Sequence, residues 1–262
     1  MSSKSSLIPS ITDKNHNPIL FIFLGASNLA RSFYGLKLCI TRCLFPRSVS
    51  FIHAMGPGRG YISQGGIFNV IYTPILHSGV LEAVSNTKNQ KVVALITDIG
   101  NDIMYGIPAE KIIGGLKSIF DELNKLEANI FITTIPVDLK KDISEFYFHI
   151  LRKFFFPRST VEYNRAWEAI QSINTFILQP LNKNIIVIDE MNEFCGVDKI
   201  HFSLLKSCSA WSHIAGNLTS SFAVNAPPKL RVSELTLSFV NNLARILLTD
   251  MLGMVNKTNE SF

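Results

Sequence analysis

Charged residues are scarce in this sequence, where Asp, Glu, Lys and Arg make up 17% of 262 residues and apolar residues make up 47%. This balance excludes an intrinsically disordered chain and predicts a protein with a large buried core. The net charge is +5, but the densest basic patch (Lys140, Lys141, Arg152 and Lys153) is interrupted by acids and aromatics. Because nucleic-acid binding needs a concentrated basic face, no nucleic-acid partner is expected.

Cysteine is also rare, and its few copies are widely spaced. None of the four forms a Cys-x-x-Cys pair or has metal-ligand spacing with histidine, so we expect no metal site and no cofactor. Cys39 and Cys43 lie four residues apart on a predicted helix, which suits two buried thiols better than a disulfide. We therefore expect a reducing compartment and a cytoplasmic protein. The other two cysteines are Cys195 and Cys208.

No hydrophobic run reaches the ~20 residues that a membrane-spanning helix needs. The longest candidate, Leu235 to Leu252, is interrupted by Asn241, Asn242, Arg245 and Asp250, and it predicts an amphipathic closing helix. Residues 1–17 are polar and lack the basic start and apolar core of a secretory signal. We therefore expect no membrane span and no secretory leader.

Two common catalytic and binding motifs are missing. No serine lies in the Gly-x-Ser-x-Gly elbow of an ordinary α/β-hydrolase. The glycine-rich loop, Gly56 to Gly66, lacks the Lys-Ser/Thr ending of a phosphate-binding P-loop. Nucleotide binding is therefore not expected. Outside the motifs below, histidines show no paired ligand spacing, although His53 lies next to the glycine loop and is a candidate to line a pocket.

What the sequence does have is an alternation of strand-like and helix-like stretches, which predicts an α/β fold with a parallel sheet covered by helices on both faces. We predict a single domain at 19–254, between a polar N-terminal tail (1–18) and a C-terminal tail (255–262). The five predicted strands are Ile19–Leu24, Val49–Ala54, Lys91–Ile96, Ile130–Ile135 and Ile185–Ile188. The predicted helices are Leu29–Cys43, Val80–Ser85, Ala109–Leu126, Tyr163–Leu178 and Ser233–Leu252.

Two stretches fall outside this alternation. Ile143 to Pro157 is crowded with aromatics, and Ser203 to Lys229 is predicted to be irregular. Each is a candidate for a lid or substrate wall, and ordinary core packing is an equal alternative.

Polar clusters follow four of the strands, at the sheet edge where open α/β proteins bind ligands. Ser27 precedes a helix, whose free N–H groups stabilise a nearby anion, although such a serine is also typical of an N-cap. Asp198 and His201 are three residues apart, which on a helical turn places a carboxylate beside an imidazole. Asn101 is a candidate oxyanion donor, although Gly100-Asn101-Asp102 also suits a turn, with Asp102 capping or orienting a loop.

In their order and residue types, these four blocks resemble those of the SGNH (GDSL-like) hydrolases. Ile99-Gly100-Asn101-Asp102 and Asp198-Lys199-Ile200-His201 are closely similar to the third and last blocks of that family. The resemblance implies a flavodoxin-like three-layer α/β/α sandwich with a five-stranded parallel sheet. It also implies metal-free hydrolysis of a carboxyl ester through an acyl-enzyme on Ser27. His201 would be the general base and Asp198 its orienting partner.

The same resemblance implies an oxyanion hole built by Asn101 and a loop glycine, for which Gly58 is favoured over Gly60 and Gly56. The first block departs from the usual Gly-Asp-Ser-Leu, because Ala26 replaces the acid. Gly-x-Ser-Asn resembles sialate O-acetylesterase-like members, so the expected substrate is a small-molecule or sugar ester with a short acyl or O-acetyl group. An acyltransferase and a non-catalytic carbohydrate-binding module are the alternatives, and the oligomeric state is left open.

Overall fold

The structure is a computed structural model that describes residues 17–67, 70–84, 90–180 and 182–251. Its strands form a single parallel sheet in the order β2-β1-β3-β4-β5. The predicted tails lie outside the described residues, apart from 17 and 18. The strands are β1 (Ile19–Leu24), β2 (Val49–Ala54), β3 (Lys91–Ile96), β4 (Asn129–Thr133) and β5 (Ile185–Ile188).

The strands form where the chain has short, continuous apolar runs, which is the pattern of parallel strands covered on both faces. All six residues of β1 are buried, as are five of the six residues of β3. β1 pairs with β2 on one side and with β3 on the other. All five predicted strands are confirmed, although β4 begins one residue earlier than predicted and ends two residues earlier.

Helices cover both faces of this sheet. The longer ones are α1 (Ser27–Leu44), α4 (Ala109–Lys125), α6 (Glu145–Phe155), α7 (Tyr163–Leu178), α8 (Ser207–Thr219) and α9 (Val232–Arg245). Short ones are α2 (Val80–Val84), α3 (Asn101–Met104) and α5 (Leu139–Asp142), with 3₁₀ turns at Ile75–His77 and Met191–Phe194 and a π-helical turn at Ile246–Met251. No helix in the described ranges is long and apolar enough to span a membrane.

Alternate residues of β1 enter two separate apolar cores. Leu20, Ile22 and Leu24 pack with α4 and α7, whereas Phe21 and Phe23 pack with α1 and α8. Because successive side chains of a strand point to opposite faces, the sheet lies between two helical layers. The predicted three-layer α/β/α sandwich with a five-stranded parallel sheet is confirmed.

The stretch 203–229 was predicted to be irregular, and this prediction is wrong. It contains α8, which buries Trp211 completely. Ser207, Ser209 and Gly216 have low intrinsic helix propensity, and burial of the apolar side chains Trp211, Ile214 and Leu218 outweighs it. The predicted buried thiols on α1 are confirmed, since Cys39 and Cys43 are both buried and free; burial raises the pKa of Cys39 to about 12.

Candidate active site

Ser27 is the first residue of α1 and lies three residues beyond the end of β1. Its Oγ is 3.0 Å from Nε2 of His201, although 174 positions separate the two residues in the chain. At this distance a hydroxyl proton can pass to the imidazole nitrogen. The structure therefore brings together a serine and a base that the sequence keeps far apart.

His201 also faces Asp198, with 2.7 Å between Nδ1 and Oδ2. The other oxygen, Oδ1, accepts the backbone N–H groups of Ile200 at 3.1 Å and of His201 at 2.9 Å. The expected helical turn is absent, because Lys199 has a left-handed backbone (φ 57°) and the segment is a tight turn. In this turn the backbone N–H groups of Ile200 and His201 donate to Asp198, and its carboxylate lies beside the imidazole, as predicted.

These contacts fix the charges of the pair. Burial by itself raises the pKa of Asp198, but hydrogen bonds from the ring and backbone of His201 outweigh it and lower that pKa to about 2. An ionised Asp198 accepts the proton on Nδ1, so the lone pair on Nε2 faces Ser27. Arg31 lies near both Asp198 and Asp98. Burial lowers the pKa of its guanidinium, and the charges of the two carboxylates offset this lowering only in part.

Asp98 is a site residue that the sequence analysis missed. It follows β3, and its Oδ2 accepts the N–H groups of Ala26 at 3.0 Å and Leu29 at 3.1 Å. These bonds cap the start of α1. The chain has Ala26 where the first SGNH block usually has an acid, and the carboxylate at this helix start comes from Asp98 instead. The available signal was an acidic residue directly after a buried strand, one strand away from the serine.

Asn28 connects this cap to the histidine turn and is also a residue whose role the sequence analysis missed. Its side-chain amide donates to Oδ1 of Asp98 at 2.9 Å and to the carbonyl of Ile200 at 3.1 Å. Its Oδ1 accepts the N–H of Phe202 at 3.0 Å. The side chain is therefore bonded to the backbone on both sides of His201, so it holds that imidazole opposite Ser27.

Asn101 and Asp102 form the third polar cluster, at the carboxyl end of β3. They begin the short helix α3 and not the turn that was considered. The amide of Asn101 donates to the carbonyl of Arg59 at 2.9 Å, which keeps one further N–H available. Asp102 is fully buried and accepts the N–H groups of Tyr61 at 2.6 Å and Ser63 at 2.9 Å. It orients the glycine loop, as expected.

Gly58 occupies a corner of this loop. Its backbone is left-handed (φ 72°), and a Cβ there would lie 2.8 Å from the carbonyl oxygen of Gly66. Its own carbonyl accepts the hydroxyl of Tyr105 at 2.5 Å. The turn therefore requires glycine at this position for conformational reasons, and the oxyanion role of Gly58 stays a prediction.

His53 does not line the pocket for which it was considered. Its ring packs edge-on against Phe33, with 4.4 Å between centroids. Burial, followed by the nearby cations Arg245 and Arg59, lowers the pKa of His53 to about 4. A neutral, half-buried ring of this kind belongs to the packing of the β2 edge.

A cavity of about 100 Å³ opens beside Ser27 and Asn101. The aromatic stretch supplies one wall of the cavity through α6 and also packs into the core through Phe148, so its role as a substrate wall stays a prediction. Phe155 from this wall also meets the ring of His201 edge-on, with 5.3 Å between centroids. Most of the lining is apolar: Ile103, Met104, Ile135, Val137, Leu139, Ile143, Phe148, Leu151, Phe155, Phe156 and Ile170.

Solved structures share this architecture. The inhibitor-bound aryl esterase of M. smegmatis superimposes with a TM-score of 0.50, over 77% of this chain and 99% of that one, at 9% identity. The chain has the fold of the SGNH hydrolases. A lipolytic G-D-S-L family protein from Veillonella parvula is also similar, with a TM-score of 0.42, 12% identity, and 78% and 98% of the two chains covered. No family model and no curated protein sequence matches this one.

The resemblance to the SGNH hydrolases that the sequence predicted is thus confirmed for the fold. At 9% identity, the comparison leaves the chemistry of the chain to be argued from its own side chains.

Replacing Asn28 by Ala is expected to destabilise the protein by about 1–3 kcal/mol. Asn28 is 6% exposed, so its removal leaves the carbonyl of Ile200 and the N–H of Phe202 without their partner in a buried place. Urea unfolding should show a lower midpoint with an unchanged slope. Asn241→Ala, on the exposed side of α9, is the control and should not lower the midpoint, since alanine has the higher helix propensity. Equal midpoints for both variants would contradict the bridging role.

The hydrogen bonds that Asp198 accepts from His201 and Ile200 predict that the stability of the protein depends on pH. The pKa of Asp198 is about 2 in the folded protein, against 3.8 as its ordinary value. The ionised form therefore stabilises the fold above pH 4, and this contribution falls as the pH approaches 2. Wild type should lose about 1 kcal/mol between pH 5 and pH 3 that Asp198→Asn does not lose. Parallel unfolding curves for the two proteins across this range would refute the lowered pKa.

Proposed function

We propose that this protein is a serine ester hydrolase with Ser27 as its nucleophile. The observation that carries the proposal is the continuous chain of hydrogen bonds from Ser27 Oγ to His201 Nε2 and from His201 Nδ1 to Asp198, at 3.0 and 2.7 Å. This is the geometry of an activated hydroxyl nucleophile, with a base in reach and a carboxylate that orients the base. It ends at an apolar cavity that can hold an acyl group.

The reaction follows from these positions. His201 takes the proton of Ser27 as Oγ attacks the acyl carbonyl carbon, and Asp198 stabilises the imidazolium that forms. His201 then gives this proton to the alcohol oxygen, and the C–O bond to the alcohol breaks. Water then attacks the acyl-enzyme as His201 takes its proton, and His201 passes this proton to Oγ as the acyl C–Oγ bond breaks, which releases the acid and regenerates Ser27.

The negatively charged oxygen of the tetrahedral intermediate is stabilised by hydrogen-bond donors. As the first helical residue, Ser27 has a backbone N–H without a partner inside α1. The free N–H of the Asn101 amide is a second donor. The carbonyl of Arg59 points toward Asn101, so the N–H of the same trans peptide, which belongs to Gly60, points away. This supports Gly58, with Gly56 as the alternative, for the third donor.

The cavity supports an apolar acyl group. Sugar hydroxyls placed among the side chains of Ile103, Ile135, Leu151 and Phe155 would lose their hydrogen bonds to water without replacement. A hydrocarbon chain gains from the same burial. The predicted O-acetyl sugar would therefore have to place its sugar outside the cavity. Whether water or an alcohol attacks the acyl-enzyme depends on the acceptor, and transfer would use the same residues.

Purified protein is expected to release p-nitrophenol from p-nitrophenyl butyrate and to be labelled by a fluorophosphonate at Ser27. Ser27→Ala and His201→Ala should each abolish turnover. Asn101→Ala should lower kcat about 10²- to 10³-fold, because a donor to the oxyanion is lost. Unchanged turnover in Asn101→Ala would remove this residue from the oxyanion hole.

Ser118→Ala is a suitable control, because its hydroxyl is exposed on α4, donates to the carbonyl of Gly114 and lies outside the proposed triad. It should keep its fluorophosphonate label. Well-folded wild type that is neither labelled nor active would instead favour a non-catalytic binding module.

A series of p-nitrophenyl esters tests the acyl pocket. Each methylene that enters the cavity should raise kcat/KM about fourfold, since burial of a CH₂ contributes about 0.8 kcal/mol. The rise should stop when the cavity is full. Leu151→Trp should shift the optimum to shorter chains by filling the wall. A constant kcat/KM from acetate to octanoate, or a preference for O-acetyl sugars, would place the acyl group elsewhere.

A further inference from the structure

Helix α6 is apolar on two sides. Its inner side lines the cavity with Phe148, Leu151 and Phe155. Its outer side carries an outer stripe, which we define as Phe146, Ile150 and Phe154, and these are 78%, 47% and 77% exposed. Burial of the inner side is explained by the core and the cavity. The residues that the structure describes give no such explanation for the exposure of the outer stripe.

The spacing of the outer stripe makes it one continuous surface. The residues are four apart, and side chains at i and i+4 lie one above the other on the same side of a helix. Single exposed apolar residues are ordinary on a protein surface, whereas a row of large ones rimmed by polar groups marks an interaction site. Two of the three residues are phenylalanines, which bury a large apolar area.

The charges around the stripe select its partner. Within 138–158 four cations are exposed (Lys140, Lys141, Lys153 and Arg158), against one exposed acid, Glu145. The half-buried Asp138 is 3.2 Å from Lys141, so three of these exposed cations are left against Glu145, and the half-buried Asp142 is 3.9 Å from Lys199. An apolar stripe flanked by Lys and Arg is the pattern of a helix that lies in an anionic lipid interface.

We propose that α6 docks on an anionic lipid surface, with Phe146, Ile150 and Phe154 entering the boundary between headgroups and acyl chains. Because the inner side of the same helix walls the cavity at Ser27, docking places that cavity one helix diameter, ~10 Å, from the lipid. This further step rests on the proposed ester hydrolysis, and it names the substrate class: a lipid ester that reaches Ser27 from the surface.

The test is sedimentation of the full chain with vesicles. One set is phosphatidylcholine alone, and the other contains 30% phosphatidylglycerol. Wild type should bind the anionic vesicles at least tenfold more tightly than the neutral ones. Phe146→Ser combined with Ile150→Ser should weaken anionic binding at least tenfold. The control is Leu205→Ser, which removes a 95% exposed apolar side chain elsewhere and should bind like wild type.

Activity separates docking from catalysis. The Phe146→Ser/Ile150→Ser variant should hydrolyse a water-soluble butyrate ester like wild type, and a vesicle-embedded ester at least tenfold more slowly. Binding is measured without turnover, so an inactive protein that still binds vesicles would refute the proposed hydrolysis and retain the docking surface. Equal vesicle binding by the variant and wild type would overturn the docking proposal. So would light scattering that shows a dimer dissociated by the variant, because a second copy would then cover the stripe.

Discussion

The hydrogen bonds between Asp98 and Asn28 are the constraint on which the rest of the site depends. The carboxylate of Asp98 accepts two backbone N–H groups of the first turn of α1, and it accepts the amide of Asn28. A carboxylate can only accept, so the NH₂ of Asn28 faces it and the amide oxygen is left for the N–H of Phe202. One acidic side chain thus fixes the start of α1, which carries Ser27, and, through Asn28, the backbone around His201.

Sheet order explains why these groups can meet. β1 lies between β2 and β3, and all three run in the same direction. The residues that follow them, Ser27, the glycine loop and Asp98 with Asn101, therefore emerge side by side at one edge. This edge lies where the chain crosses from one side of β1 to the other, which is where open α/β sheets bind ligands. The turn that holds His201 comes from beyond β5 and is joined to this edge by Asn28, which spans 172 positions to the carbonyl of Ile200.

The fold could be predicted because buried parallel strands are short apolar runs with little ambiguity, and the ends of β1, β2, β3 and β5 match the sequence-based expectation. The failures have a common cause, which is that tertiary contacts outweigh local preference. α8 forms through the burial of Trp211 despite its serines, and Lys199 adopts a left-handed backbone that no local pattern indicates. Asp98 was missed for the same reason, because its partners lie about 70 residues away in the chain.

Two kinds of interaction act at this site, and they have different effects. Hydrogen bonds are directional, and those of Asp98, Asn28 and Asp198 place Ser27 and His201 at fixed distances, so they determine which reaction the site can perform. The cavity is lined by apolar side chains, whose contacts have no direction and depend on area and volume. Under the proposed function, substitutions within 145–156 therefore act on which acyl group fits and how the protein meets its substrate. Because Phe155 also touches the ring of His201, it is the position where a change in the wall reaches the proposed base.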